Sequence, residues 1–593
     1  NNWVVSGDKT DSGMPLLADD PHLSLNNPAI WYYVEMDSKT NGDGDLHVAG
    51  ASIPCVPGIV VGQNEDIAWG VTTARLDLAD AYVETLNSDG TAVMREGKEV
   101  DLITRDYTFK DAKGNEETAT FEWVPEHGPI MAKDMENNRA VSIKWVAQKA
   151  GNDIDFIDDL MTATNVDEAM SAVGPIRTIN QNWLFMDSDG DMNNGEIGWY
   201  PKGAIPKRPW ATSDTPNWLP LPGDGSAEWQ GTLSKENAPK LTDPPNGFLA
   251  TANNDFDGSY TDGNATNDGH TPWQAPPAYG HRHKRIVERI EEGGNDHTPE
   301  TMHDIQADTF SLHGETLAPE VITIAEQNMS DLTPDAKKVL TALKGWDYTC
   351  PTGLDGTDPE MASKVSGKEA KASIGCAAFH VLLPALADAV FSDELAAVSD
   401  YEAKANWRTL QGPLIYAFTD PSQLNRGEDY FDDVSTDMTT ETKSAAVLQA
   451  LDETATALNN AFGSSKKDDW RWGEIHTVTF TSLFSSAGVD IFDNGPFIND
   501  GGFYTVDVAN PTGVDGDYSH PNGPSIRVVF EAQEGGGIEG WFQLPGGQDH
   551  HRDSEFYGSL IDDWLTNTPR KLLFDRQEVD ENAVETLEAG PAN

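Results

Sequence analysis

The chain has 593 residues, with 98 acidic against 40 basic side chains and a formal net charge of −58. Such a field repels nucleic acid and anionic lipid, so neither is an expected partner. The 17 Trp, 14 Tyr and 21 Phe argue against intrinsic disorder, and no apolar run reads as the ~20 residues of a membrane span. The acidic residues are spread through the chain. They predict a hydrated surface adapted to high salt, with stability that falls as salt is removed.

Trp3-Val4-Val5 and Met14-Pro15-Leu16-Leu17, joined by a Gly/Asp/Ser/Lys turn, predict a β-hairpin at the start of the chain. An Asp-Asp-Pro-His turn follows at residues 19–22. Opening directly on a buried-type strand suggests a terminus made by cleavage. Residues 28–36 read as a strand or short helix, and 47–61 as an apolar run broken by Pro54 and Pro57 with Cys55 in the core. Residues 67–73 read as a strand, 100–145 as β-hairpins, 153–173 as helical, and 182–186 with 198–205 as a hairpin. Residues 209–245 read as a long ordered loop. Helices are predicted at 282–292, from the Thr298-Pro299-Glu300 cap onward, and at 332–343, 377–390 and 444–462. HTVTF, GGFYTVDV, SIRVVFEA and GWFQLP then return to strand. The whole predicts one α+β catalytic body: mainly β over 1–280, mainly helical over 281–465, and C-terminal strands over 466–593. Cys350 and Cys376 flank a Gly/Asp/Lys-rich insertion. In an oxidising compartment they could form a disulfide, and two free thiols are equally open.

No G-x-S-x-G, H-E-x-x-H or P-loop is present. Asp187-Ser-Asp189-Gly-Asp191 lacks the glycine and the closing glutamate of a calcium loop and reads as an acidic hairpin turn. His550-His551 reads as surface, because adjacent side chains diverge on an extended chain. Asp77 and Asp80 alone would be edge carboxylates. Asn253-Asn254 alone would be turn chemistry. Arg282, Arg285 and Arg289 share a helical face that is usually salt-bridged.

Taken in order, however, several segments resemble the penicillin acylase (penicillin amidase) family of N-terminal-nucleophile hydrolases. They are NNWVVSG…PLLADDPHL, PGIVVGQNEDIAWGVTTARLDLADAYVE, NWLFMDSDGD…GEIGWYPKGAIPKR, GFLATANN, HRHKRI, WRWGEIH, GGFYTVDV and LPGGQDHH…FYGSLIDDW. The resemblance runs from Asn1 to about residue 574 and is to the large β subunit, which the family makes by self-cleaving a precursor. It implies a four-layer αββα sandwich with helical and β excursions. It also implies hydrolysis of linear amide C–N bonds in small molecules, an α subunit as partner in a heterodimer, and a periplasmic or secreted location.

The family's nucleophile is a Ser at the start of the β chain, followed by Asn-x-Trp. Asn1-Asn2-Trp3 matches that motif, so the Ser is expected immediately before Asn1, with its own α-amine as base through a bridging water. By the same resemblance the oxyanion donors are the Thr73 N–H and the Asn253 side chain. His22 falls where the family contacts the nucleophile: penicillin G acylases carry Gln there, cephalosporin and acyl-homoserine lactone acylases His. Arg282, or the nearby Arg285, matches the arginine that supports the amine and the oxyanion Asn. One structural calcium is implied, held by Asp77, Asp80 and the carbonyls of Ala79 and Pro206, with an α-subunit Glu and Asp262 or Asp268 as further ligands. Leu23, Val61 and Ile157 stand at acyl-pocket positions that are aromatic in phenylacetyl-selective members, and Val71 at one often held by Ser. That predicts an aliphatic lining without edge-to-face aromatic partners, and a preference for aliphatic acyl chains. The expectation is a penicillin/cephalosporin-type acylase. An acyl-homoserine lactone acylase is the nearest alternative, and a non-catalytic calcium-stabilised extracellular binding protein one of another class.

Overall fold

The computed structural model of the chain describes residues 1–587 apart from 41, 150, 189–194, 262, 399–405, 433 and 435–440. Two antiparallel sheets form its centre. The first has six strands in the order Phe248–Thr251, Asn2–Val5, Leu16–Asp19, Arg527–Ala532, Ile538–Gln543, Arg570–Leu572. The predicted hairpin at the start of the chain is therefore an interior pair of this sheet, with Asn2 opposite both Asp19 and Thr251.

Strand periodicity of two sorts the side chains of this sheet between two cores. Val4, Leu17, Val528 and Phe530 enter one core, and Trp3, Val5, Leu16, Ala18 and Val529 enter another. The second group meets Ile286 and Ile290 of the helix His281–Gly293 and Met302 and Ile305 of Pro299–Gln306. Thr298 starts the latter helix as expected, its hydroxyl accepting from Thr301 N at 3.4 Å with Pro299 in the first turn.

The first group packs on a seven-stranded sheet ordered Leu241–Thr242, Ile197–Lys202, Gln181–Asp187, Ile67–Thr73, Val61–Asn64, His47–Ser52, Tyr32–Asp37. Helices Phe156–Met161 and Val166–Val173 pack on that sheet. Val166 and Met170 sit so close to Gly198 that a Cβ there would lie 2.6 Å from Val166. Helices, sheet, sheet and helices make the four-layer αββα sandwich. An outer six-stranded sheet, Ile103–Lys110, Glu116–Val124, Gly128–Asp134, Arg139–Trp145, Ala79–Thr85 and Leu221–Pro222, projects from it. Leu312–Gln327, Pro334–Lys344, Lys368–Val398, Gln411–Thr419 and Lys443–Phe462 enclose a separate helical core.

Several expectations change. Residues 153–173 are two short helices, and 28–36 contribute the strand Tyr32–Asp37. Lys368–Ala396 is long and apolar enough to cross a membrane, contrary to the sequence reading, and 89% of its most apolar window is buried as the central helix of the helical core. Lys371, His380 and Pro384 break its apolar pattern in the sequence. Cys350 and Cys376 form a disulfide with Cα atoms 5.2 Å apart. Cys55 is exposed, not core: Pro54 and Pro57 turn the run outward, with Cys55 at φ 77°. GGFYTVDV is not a strand. Gly501 and Tyr504 take φ of 75° and 64°, and the Thr505 hydroxyl closes the turn on Gly502 O at 3.0 Å. Of the acidic turn, Asp187 accepts from Glu196 N at 2.7 Å, and 189–194 lie outside the described residues. His550 and His551 are exposed.

Candidate active site

The turn after the second strand brings the chain back onto its first residue. Asp20 N donates to Asn1 O at 2.9 Å, and Asn1 N donates to Asp20 O at 3.0 Å. The Asn1 amide nitrogen donates to Asp20 Oδ2 and to Val506 O, both at 3.0 Å. Its oxygen accepts from Arg282 Nη1 at 2.7 Å, and Arg282 Nη2 donates to Asn253 Oδ1 at 2.8 Å. Asn253 Nδ2 donates to Thr73 O at 2.8 Å.

Asp20, Asn1, Arg282, Asn253 and Thr73 are thus one hydrogen-bonded path through four distant segments. Guanidinium has no acceptor, so it fixes both amides with their oxygens towards it. That leaves Asn253 Nδ2 with a second N–H beyond the one given to Thr73. Asn253 sits at φ 60°, a left-handed conformation that Asn tolerates better than most residues. Arg285 takes no part: with Arg289 it grips Asp308, at 2.8 and 2.6 Å. Of the two arginines the sequence left open, Arg282 is the one in contact with Asn253.

His22 borders this path. Its Nε2 lies 3.0 Å from the Asp20 Oδ2 that also receives Asn1. Burial, reinforced by nearby positive charge including Arg282 and Arg527, holds the imidazole well below its ordinary pKa. Burial therefore favours the neutral ring, and Nε2 shares a hydrogen bond with Asp20 Oδ2. Burial pushes Asp20 up to about 6 against the pull of neighbouring cationic groups.

A cavity of about 340 Å³ opens on the path. Asn1, His22, Thr73, Arg75, Gln181 and Asn253 give it polar lining. Leu23, Val71 and Ile157 line it, with further aliphatic residues. Val61 does not: it is buried in the sheet, and Val60 lines the cavity instead, since neighbouring residues face opposite ways. The expectation of a lining free of aromatic rings is also corrected. Trp31, Phe156 and Trp183 contribute, and the last two meet edge to face with centroids 5.1 Å apart. A larger, open hollow of about 650 Å³ beside the outer sheet gathers none of these polar groups.

The expected calcium ligands meet a different cation. Arg208, 1% exposed, donates through Nε to Asp80 Oδ2 at 2.9 Å and through Nη2 to Asp80 Oδ1 at 3.2 Å. The same Nη2 lies 3.2 Å from Asp77 Oδ1 and donates to Asp77 O at 3.1 Å. Asn217 Nδ2 donates to Asp77 Oδ2 at 2.9 Å, and the Trp229 indole also donates to Asp80. Every carboxylate oxygen of the pair already faces an N–H. Ala79 pairs with Trp145 in the outer sheet and Pro206 bridges to Thr232. In this structure the Arg208 guanidinium neutralises the two carboxylates that the resemblance assigns to calcium. Asp268 is exposed, and Asp262 lies outside the described residues.

The penicillin amidase family profile matches residues 1–581. The chain belongs to the penicillin amidase family. Members of this family are hydrolases of carbon–nitrogen bonds. The chain is 25% identical over 613 aligned positions to the acyl-homoserine lactone acylase QuiP of Pseudomonas aeruginosa, covering 98% of this chain and 67% of that protein. Against QuiP of Pseudomonas syringae pv. tomato the figures are 25% identity, 95% and 64%. This penicillin amidase family member thus spans about two thirds of the length of these curated relatives. It is 29% identical over 330 positions to penicillin acylase 2 proenzyme of Pseudomonas sp. (strain SE83), covering 54% of this chain and 38% of that protein. Its fold matches a thermostable penicillin G acylase from Alcaligenes faecalis with a TM-score of 0.71, 19% identity and full coverage of both chains.

Asp20, Trp31 and Arg75 join the site without a role assigned to them from the sequence. Asp20 carried a signal: it is the second of two carboxylates that directly follow the apolar run Leu16-Leu17-Ala18, where a charge needs a buried partner.

Proposed function

We propose that this chain is the catalytic β portion of an N-acyl amide hydrolase that favours aliphatic acyl groups, with N-acyl-homoserine lactones the first substrates to test. The observation that carries this is the junction of a mostly aliphatic cavity with the path through Asn1, Arg282 and Asn253. The resemblance to acyl-homoserine lactone acylases along 95–98% of the chain also supports it.

In this reading a Ser precedes Asn1 and attacks the amide carbonyl, and its own amine takes the hydroxyl proton through a water. The carbonyl oxygen gains charge and accepts from the Thr73 N–H and the second N–H of Asn253 Nδ2. Arg282 holds the Asn253 amide in the orientation that aims this donor. The amine leaves with a proton, and water then releases the acid from the acyl-enzyme. Neutral His22 borders the nucleophile end without adding charge. The partner is an α subunit cut from the same precursor, and the setting is periplasmic or secreted.

The test uses the heterodimer matured from the full precursor. Amino-terminal sequencing of the large chain is expected to give Ser before Asn1. Among amides of one amine, an aliphatic acyl group is expected to be released with kcat/KM about tenfold above phenylacetyl, a difference of about 1.4 kcal/mol. A genuine Asn terminus defeats the mechanism, and faster phenylacetyl release defeats the acyl preference.

A further inference from the structure

Arg75 lines the cavity two residues beyond Thr73 and takes no part in the path through Asn253. Arg75 is exposed, and among the described residues its side chain has no hydrogen-bond or ion-pair partner. The neighbouring arginines are engaged: Arg282 with Asn1 and Asn253, Arg285 and Arg289 with Asp308, and Arg527 with Asp507.

The backbone of Arg75 is equally distinctive. It sits at φ 56°, in the left-handed region that suits Gly or Asn far better than Arg. Its neighbours pin it there. Asn180 accepts from Ala74 N at 3.1 Å and from Leu76 N at 2.9 Å, and donates to Leu76 O at 2.8 Å. Gln274 donates to Ala74 O at 2.6 Å, and Ala275 N to Arg75 O at 3.1 Å. A side chain that is costly in this conformation, held by surroundings that over-determine it, points to use at the site.

The cavity sets the direction of a substrate. The acyl group takes the apolar lining and the scissile carbonyl meets Thr73 and Asn253, so the amine half lies at the polar end with Arg75. Guanidinium offers a planar fork of donors that matches a carboxylate in two parallel hydrogen bonds. We propose that Arg75 binds the carboxyl-derived group on the carbon next to the scissile nitrogen, so that the amine half of the preferred substrate is an α-amino acid or its lactone, with the free carboxylate favoured. This rests on the acylase reading of the site.

The matured heterodimer tests it with three amides of one acyl chain: N-acyl-homoserine, its lactone, and N-acyl-butylamine, which lacks the carboxyl group. The expected order of kcat/KM is carboxylate, lactone, butylamide, with at least about tenfold between the first and last, carried in KM. Arg75→Gln is expected to bring the carboxylate-to-butylamide ratio close to one. Arg75→Lys keeps the charge without the fork and should retain part of it. Neither replacement is worse suited than Arg to the backbone, and unchanged melting temperatures would check this. A butylamide cleaved as well as the carboxylate, or a ratio untouched by Arg75→Gln, overturns the proposal while leaving the acylase reading standing. A lactone preferred over the carboxylate overturns the preference for the free acid. Hydrolysis of none of the three overturns the acylase reading and this proposal with it.

Discussion

Replacing Asn253 by Ala is expected to lower kcat by about 10²–10³, or about 2.7–4 kcal/mol of transition-state stabilisation, with a smaller change in KM. The amide is fixed from both sides: its oxygen accepts from Arg282 at 2.8 Å and one N–H is given to Thr73 O at 2.8 Å. Only the second N–H is left to meet charge that develops at the carbonyl oxygen, so its loss acts on the transition state more than on the bound substrate. A second effect must be separated from this. Asn253 sits at φ 60°, and Ala there adds backbone strain of about 1–2 kcal/mol. Asn253→Gly removes the amide without that strain. Equal losses of turnover in the two variants assign the effect to the missing donor. Turnover within about threefold of normal for Asn253→Gly would remove Asn253 from the chemistry, since a lost oxyanion donor typically costs far more.

The parts of this site that the sequence made legible are those set by local pattern and ordered motif. The hairpin at Asn2–Val5 and Leu16–Asp19 follows from alternating burial, and Ile67–Thr73 appears with the predicted bounds. Asn1, His22, Thr73, Asn253 and Arg282 converge because the segments that carry them pair in or pack on the two central sheets. The illegible parts depend on long-range packing. Arg282 and Arg285 share a helical face, and only the position of Asp308 assigns Arg285 to a structural ion pair. Val60 and Val61 are indistinguishable by composition, and the direction of the strand decides which one faces the cavity. Trp31, Phe156 and Trp183 lie in elements far apart in the chain, so an aromatic contribution to the lining could not be read from any one of them. Arg208 belongs to the segment quoted for the family resemblance, yet nothing local announces that its side chain runs between Asp77 and Asp80.

Replacing Arg208 by Met is expected to destabilise the protein by about 3–5 kcal/mol, the range for removing one partner of a buried ion pair. The cost comes from the carboxylates left behind. Asp77 and Asp80 are 7% and 3% exposed, and Asn217 and Trp229 alone would then face two negative charges. Arg208→Lys should recover little, because an ammonium cannot reach both acids with the guanidinium's fixed fork. If the guanidinium stands where a metal would otherwise neutralise the pair, two further results follow. Chelator should leave the melting temperature of the unsubstituted protein unchanged, and millimolar calcium should raise that of Arg208→Met by binding the vacated carboxylates in the folded state. A fall in melting temperature when the unsubstituted protein meets chelator would overturn this assignment. Arg208 would then be a neighbour of a metal site, and the balance of charge around Asp77 and Asp80 would need both cations.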